Sequence, residues 1–432
     1  MAERHEPFVA AFERLKTSRT AAPAWLRDVR DASMARFLER GFPTTRQEDW
    51  RFTNITPITE TSFADSGPEP TAAQVSSHLF EGTDAHLAVI AAGRFSPELS
   101  AIVGLPAGVL VMSLAEALVT HPHLLKPALG ALAIGDHPFA SLNTGLFEDG
   151  VLVHVPANVI VERPIHIHIA SDAASHPTVS HPRIVISAGD NSQVSVIESY
   201  GGPEGQKYFT NAVTEVLVGA GAIVHHVKVQ RESKKAFHVA GTFARLGRGS
   251  VFSSNSISFG GGLVRNDISA VMDGEGAEAT LNGLYLSDGD RLVDNHTVID
   301  HAVAHCPSHE LYKGVLGGRA RAVFNGKIFV REDAQKTNAK QTNKALLLSD
   351  DAQINTKPQL EIFADDVKCT HGAAIGQLDE DAMFYLRARG IGLTEARHLL
   401  IRAFAGEVLD QVRPATMHAR LEALMLDALP GA

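Results

Sequence analysis

The sequence predicts a mainly β chain: a parallel β-helix core, flanked by an N-terminal α/β region and a C-terminal α-helical domain. Three observations carry this. From about residue 150 the chain turns into short Val-, Ile-, Thr- and Phe-rich segments punctuated by Gly, Asp and Asn, with little helical periodicity for over two hundred residues. Similar turn units recur at a near-constant interval along that stretch. At either end, apolar residues return to helical spacing. The predicted boundaries are 1–149, 150–377 and 378–432.

At the N-terminus, Phe8, Phe12 and Leu15 share one helical face, and Trp25, Val29 and Leu38 share a second that stops at Gly41 and Pro43. A polar segment, TRQEDWRFTNITP, follows. Ala64 to Ala73 has linker composition. LAVIAAGRF and AIVGLPAGVLVMSL then read as short strands around a Leu-Pro-Ala-Gly turn, and Ser113 to Leu132 as helical.

In the core, aligned turn units place Gly189, Gly219, Gly247, Gly274, Gly317 and Ser349 at intervals of 30, 28, 27, 43 and 32 residues, with Ala364 only 15 further on. The long interval implies one insertion, holding a His-rich segment between Asp288 and Glu310. Short strands joined by turns at constant period suit a stacked solenoid, in which each coil buries its inner face against its neighbours. A sandwich is the lesser alternative, because turns every ~8 to 12 residues need not repeat one Gly-containing unit. After Gly376, Leu400, Phe404, Val408 and Val412 recur at helical spacing behind Thr394 as N-cap, and Pro414 separates a last helix.

Composition removes several functions. The 432 residues are 44% hydrophobic and 20% charged with a net charge of -10, which suits a soluble globular chain and argues against a basic nucleic-acid groove. The longest apolar runs fall short of the ~18 to 20 residues of a membrane span, and the N-terminus has no signal-peptide h-region, so the expectation is a cytoplasmic protein. Two cysteines, Cys306 and Cys369, are too few for a disulfide framework or a resident four-thiolate cluster.

Nucleotide binding fails on its motifs. RAVFNGKI has Arg321 where a P-loop needs its first glycine and Ile328 where it needs a hydroxyl, so Asn325-Gly326 reads as a turn. Asp288, Asp290 and Asp294 invite comparison with the acidic clusters of carbohydrate-active β-helix enzymes, but three acids around a glycine are more often a solvated turn. His296, His301, His305, Cys306 and His309 invite a metal. Pro307 and strand alternation scatter them, and an ordinary His-rich turn is the better reading.

Cys369 and His371 differ: two apart on an extended strand, both point the same way. Together they form half of a metal or sulfur-handling site, which another chain would have to complete. On the residues alone, a buried cysteine and a hydrogen-bonded histidine remain the commoner outcome.

The stretch KPQLEIFADDVKCTHGAAIGQLDEDAMFYLRARGI (357–391) strongly resembles the signature of the SufB/SufD family of iron-sulfur cluster assembly scaffolds. LYKGVLGGRARAVFNGKIFV, QKTNAKQTNKALLLSDDAQINTKPQL and the N-terminal TRQEDWRFTNI extend the likeness over nearly the whole chain. Cys369-Thr370-His371-Gly372-Ala373 is similar to the SufD branch rather than SufB. The resemblance implies a right-handed parallel β-helix and a non-catalytic scaffold role in a complex. There SufB pairs through the β-helix core, the SufC ATPase binds the C-terminal helices, and the chain alone forms a homodimer. It also implies sulfur delivered by a cysteine desulfurase system and iron acquisition supported by this subunit. A transient iron-sulfur cluster or iron would sit at the SufB interface, with none permanently bound. Carried over residue by residue, Cys369 and His371 become metal-site residues, His371 with more weight. Cys306 keeps its structural reading.

Overall fold

The computed structural model of the chain describes residues 2–18, 22–65, 69–80, 84–132, 137–172 and 176–429. From Gly150 onward the chain winds through about eight turns of a β-solenoid. Each coil gives one strand to a first sheet and the next to a second, and successive coils pair in parallel. In order, the strand pairs are Gly150–Val155 with Ile165–Ala170, Arg183–Ala188 with Gln193–Gly201, Tyr208–Val218 with Ile223–Arg231, and Phe237–Leu246 with Val251–Ser258. The last four are Leu263–Met272 with Glu278–Ser287, Leu292–His301 with Pro307–Leu316, Arg321–Val330 with Asn338–Leu347, and Gln353–Ile362 with Lys368–Gly376.

From the second coil on, register partners lie 26 to 32 residues apart, the extremes being Phe237 with Leu263 and Arg321 with Gln353. This regularity corrects the expected insertion. Gly274 follows a first-sheet strand, whereas Gly317 and Ser349 follow second-sheet strands, and Ala364 follows a first-sheet strand again. The 43-residue interval is one and a half coils, and the 15-residue interval is the half coil back. The His-rich segment is an ordinary sixth coil. Both turn types carry Gly or small polar residues, so local composition alone cannot tell one from the other.

Asn325-Gly326 likewise lies inside a strand rather than at a turn. At Gly326 an added Cβ would stand 2.3 Å from Gln341 Nε2, so the glycine makes room for a side chain arriving from the facing sheet.

Inward residues alternate with outward ones. One side of the interior is an apolar stack that includes Ile184, Val216, Leu246, Ile268 and Ile299, with Cys306 buried in it. The opposite side is polar yet sealed: Lys228 donates to Asn266 at 2.7 Å, and Asn266 to Asn295 at 3.1 Å.

The N-terminal segment supplies strands His86–Ala91, Arg94–Phe95 and Leu110–Ser113 at the start of the two sheets. Helix Ala2–Ser18 buries Phe8, Phe12 and Leu15 as expected. In helix Ala24–Arg40 the buried face is Leu26, Arg30, Met34 and Phe37, while Leu38 is exposed, a rotation away from the expected stripe. The expected linker contains Thr71 as the N-cap of helix Ala72–His78, closed by a capping box with Gln74. Residues 66–68 of that stretch lie outside the described residues.

Pro138–Leu146, which no sequence signal marked, is a helix buried on every side. Asn143 donates to the carbonyls of Pro182 and Asn211, docking this helix on the outer face of the first sheet. Helices Leu393–Leu409 and His418–Asp427 cover the outer face of the second sheet through Ile401, Ala405, Val408, Leu421 and Met425. The N-cap of the first of these is Gly392 rather than Thr394, which sits inside the first turn.

Candidate functional site

The solenoid ends open. Strand Gln353–Ile362 pairs on one side only, as does Lys368–Gly376, so a row of backbone N–H and C=O groups on each faces away from the molecule. Positions that are buried in earlier coils are half-buried or exposed here. Ile362, Phe363 and Ile375 are exposed apolar side chains around this end.

Cys369 and His371 both lie on the terminal strand, two residues apart and on one face. Cys369 pairs in register with Ala339, and His371 with Gln341. Their register partners in the seventh coil are buried, so the pair continues two interior columns to the point where those columns meet the outside. Cys369 is half-buried against Ile328, Val330 and Ala339. Burial pushes its thiol up, against a smaller opposing effect of a backbone hydrogen bond at Ala339. His371 is exposed. A soft thiol and an imidazole on one open face match the ligands preferred by iron and other borderline metals.

The other candidate residues disperse. Cys306 is buried in the apolar stack. His296 faces outward from the first sheet, 3.0 Å from Asp294, His301 is buried against Ser308 at 3.0 Å, and His305 occupies a turn with φ +62. Among the described residues, no group of three or more His, Cys, Asp or Glu could hold a metal ion.

Of the three acids, Asp288 and Asp290 flank Gly289 in one turn and Asp294 lies apart, on the strand that follows. Asp290 is exposed and paired with Arg319 at 2.7 Å, while Asp294 is buried and accepts from Arg265 at 2.8 Å and Thr53 at 2.5 Å. Burial is the largest single effect and would raise the Asp294 carboxyl, but the Arg265 guanidinium, His296 and the Thr53 hydrogen bond together outweigh it and hold the group below its ordinary range. These are the contacts of a structural anchor.

Beneath His371 lie two residues that the sequence did not single out. Gln341 in the seventh coil donates through Nε2 to Oε2 of Glu310 in the sixth at 2.7 Å, both being buried. Glu310, Gln341 and His371 are 31 and 30 residues apart, one coil each, and in register. That spacing was the available signal.

The family model described as the SUF system FeS cluster assembly SufBD core domain matches residues 168–404, and the SufBD protein N-terminal region matches residues 4–167. The chain belongs to the SufBD family. Among SufBD relatives, an iron-sulfur cluster assembly SufBD family protein of Synechocystis is 36% identical over 389 residues, covering 88% of this chain and 86% of that one. The iron-sulfur cluster assembly protein SufD of Escherichia coli is 29% identical over 401 residues, 92% of each chain. A chloroplastic protein of Arabidopsis thaliana, ABCI7, is 31% identical over 419 residues, 94% of this chain and 87% of its own. The SufBD segments named from sequence are the terminal coils and the strap TRQEDWRFT, which lies on the outer face of the first sheet with Trp50 against Arg265. Among the described residues of this SufBD protein, no helix is long and apolar enough to cross a membrane.

Proposed function

We propose that this chain is the SufD-type scaffold subunit of the SUF iron-sulfur cluster assembly machinery, non-catalytic itself and working in the cytoplasm. One observation carries the proposal: Cys369 and His371 share one face of the terminal strand, which has one edge unpaired, at the open end of the solenoid. Two ligands cannot hold a cluster, but two ligands on an edge that invites another strand can contribute to one shared with a partner. SufB is the partner proposed for that edge, through the β-helix core, and a homodimer of this chain uses the same edge when SufB is absent.

The SufC ATPase is assigned to the C-terminal helices. Helix Glu380–Ala388 buries none of its residues, and Phe384 and Tyr385 are 75% and 57% exposed, a face that suits a protein partner. Iron is cargo here, acquired with the help of this subunit and passed on with the transient cluster rather than kept.

The test is His371→Ala in the co-expressed complex. Cluster formation is expected to fall by more than ~10-fold, the scale on which even groups behind a metal ligand act. Complex assembly should be intact, because His371 is exposed and removes no buried contact. Normal iron and sulfide content in that variant would overturn the assignment.

A further inference from the structure

Three buried or terminal groups stand in one column at the open end: Glu310 in the sixth coil, Gln341 in the seventh and His371 in the eighth. Strands paired in register hold neighbouring side chains of a column about 4.8 Å apart, and they point the same way. Gln341 is 1% exposed, and its amide is oriented by what surrounds it. Its NH2 is committed downward, donating to Glu310 Oε2 at 2.7 Å. Gly326 leaves open the space this nitrogen occupies, which any side chain at that position would fill. Fixing the nitrogen fixes the other end of the planar amide: Oε1 is a buried acceptor that no group among the described residues satisfies. Leaving such an acceptor empty costs on the order of 1–3 kcal/mol. The neighbour above it in the column is His371, whose imidazole carries an N–H in either neutral form.

We propose that Gln341 is the positioning residue of His371. The bond is not formed in the structure and requires the exposed His371 ring to turn over the amide: Oε1 then accepts one ring N–H of the imidazole, which selects the tautomer and leaves the lone pair of the other ring nitrogen directed out of the open end. Metal-binding histidines generally use their second nitrogen in this way, with a carboxylate, carbonyl or water as the acceptor. Here the acceptor is a side-chain amide anchored from below by a glutamate, in space that Gly326 leaves open. Glu310 acts one step further back, through the amide it anchors. The inference rests on His371 being the ligand proposed above.

The experiment is carried out on the full-length chain with 15N-labelled histidine and no metal, reading imidazole tautomers from long-range 1H–15N correlations, with the His371 signals identified by their loss in His371→Asn. In the unsubstituted chain His371 is expected in one tautomer, unlike exposed His123 in the same spectrum. In Gln341→Met, which keeps the length and removes the acceptor, His371 is expected to move to the His123 distribution. A His371 already matching His123 in the unsubstituted chain overturns the proposal, whether or not any variant folds. An unchanged tautomer in folded Gln341→Met overturns it too. Neither iron nor SufB enters the measurement, so failure here is distinct from failure of the cluster-assembly role, which the His371→Ala complex reads.

Discussion

Glu310 shows what a single buried side chain does to this protein. Burial pushes its carboxyl up from 4.5 to about 7, outweighing the hydrogen bonds from Thr297 and Gln341. Below pH 4.5 the group is neutral in both folded and unfolded chains, and its contribution to stability is fully present. As pH rises to 7 the unfolded chain ionises first and that contribution is lost, roughly 3 kcal/mol in all at about 1.4 per pH unit. Glu310→Gln should match the unsubstituted chain near pH 5 and exceed its stability at pH 8, as read by denaturant melts at the two pH values. Equal stability at pH 8 would contradict a protonated Glu310. At this scale the sequence was half legible. The i, i+2 spacing of Cys369 and His371 is a local fact of an extended strand, so it could be read directly. Gln341 and Glu310 share a column with His371 only because coils stack, and no local pattern marks them.

Among the elements, the strap 44–53 ties the N-terminal region to the solenoid. Trp50 lies over the Arg265 guanidinium at 3.9 Å, Arg265 donates to the Asp49 carbonyl at 2.6 Å, Thr53 donates to Asp294, and Glu48 pairs with Lys357. Trp50→Ala removes a 5% exposed aromatic and its cation–π contact, at a cost of about 3–5 kcal/mol. Hydrogen exchange should show amides 44–53 losing protection while the strands of the fourth to sixth coils keep theirs. Unchanged protection of the strap would mean that Trp50 does not hold it. The sequence placed this segment as a polar stretch with one tryptophan, since its partners lie more than two hundred residues away. The slipped turn alignment has the same origin: half a coil later the chain makes a turn of similar composition, and only pairing between coils separates the two kinds.

For the molecule as a whole, buried histidines set the acid limit. Burial is the main cause of lowering His166 to about 3 and His301 to about 4 from 6.5. Their contribution is complete above pH 6.5 and is lost as pH falls toward 4, because the unfolded chain takes up protons that the folded chain refuses. Two such groups give a slope on the order of 3 kcal/mol per pH unit, opposite in sign to that of Glu310 and larger. The expected outcome is cooperative loss of the β signal in circular dichroism between pH 6 and 4. Equal denaturant midpoints at pH 7 and pH 5 would show that these histidines are not held neutral.

The sequence by itself determined the class of architecture, the approximate coil period, the helical ends and the placing of Cys369 and His371 on a common face. All of these follow from local spacing: alternation of two along a strand, about 3.6 along a helix, and turn residues where the backbone must bend. Tertiary structure decided which half of each coil belongs to which sheet, which polar residues turn inward, and which end of the stack stays unpaired. Those choices depend on hydrogen-bonded register between residues about thirty positions apart, and register is a property of stacked coils rather than of any one segment.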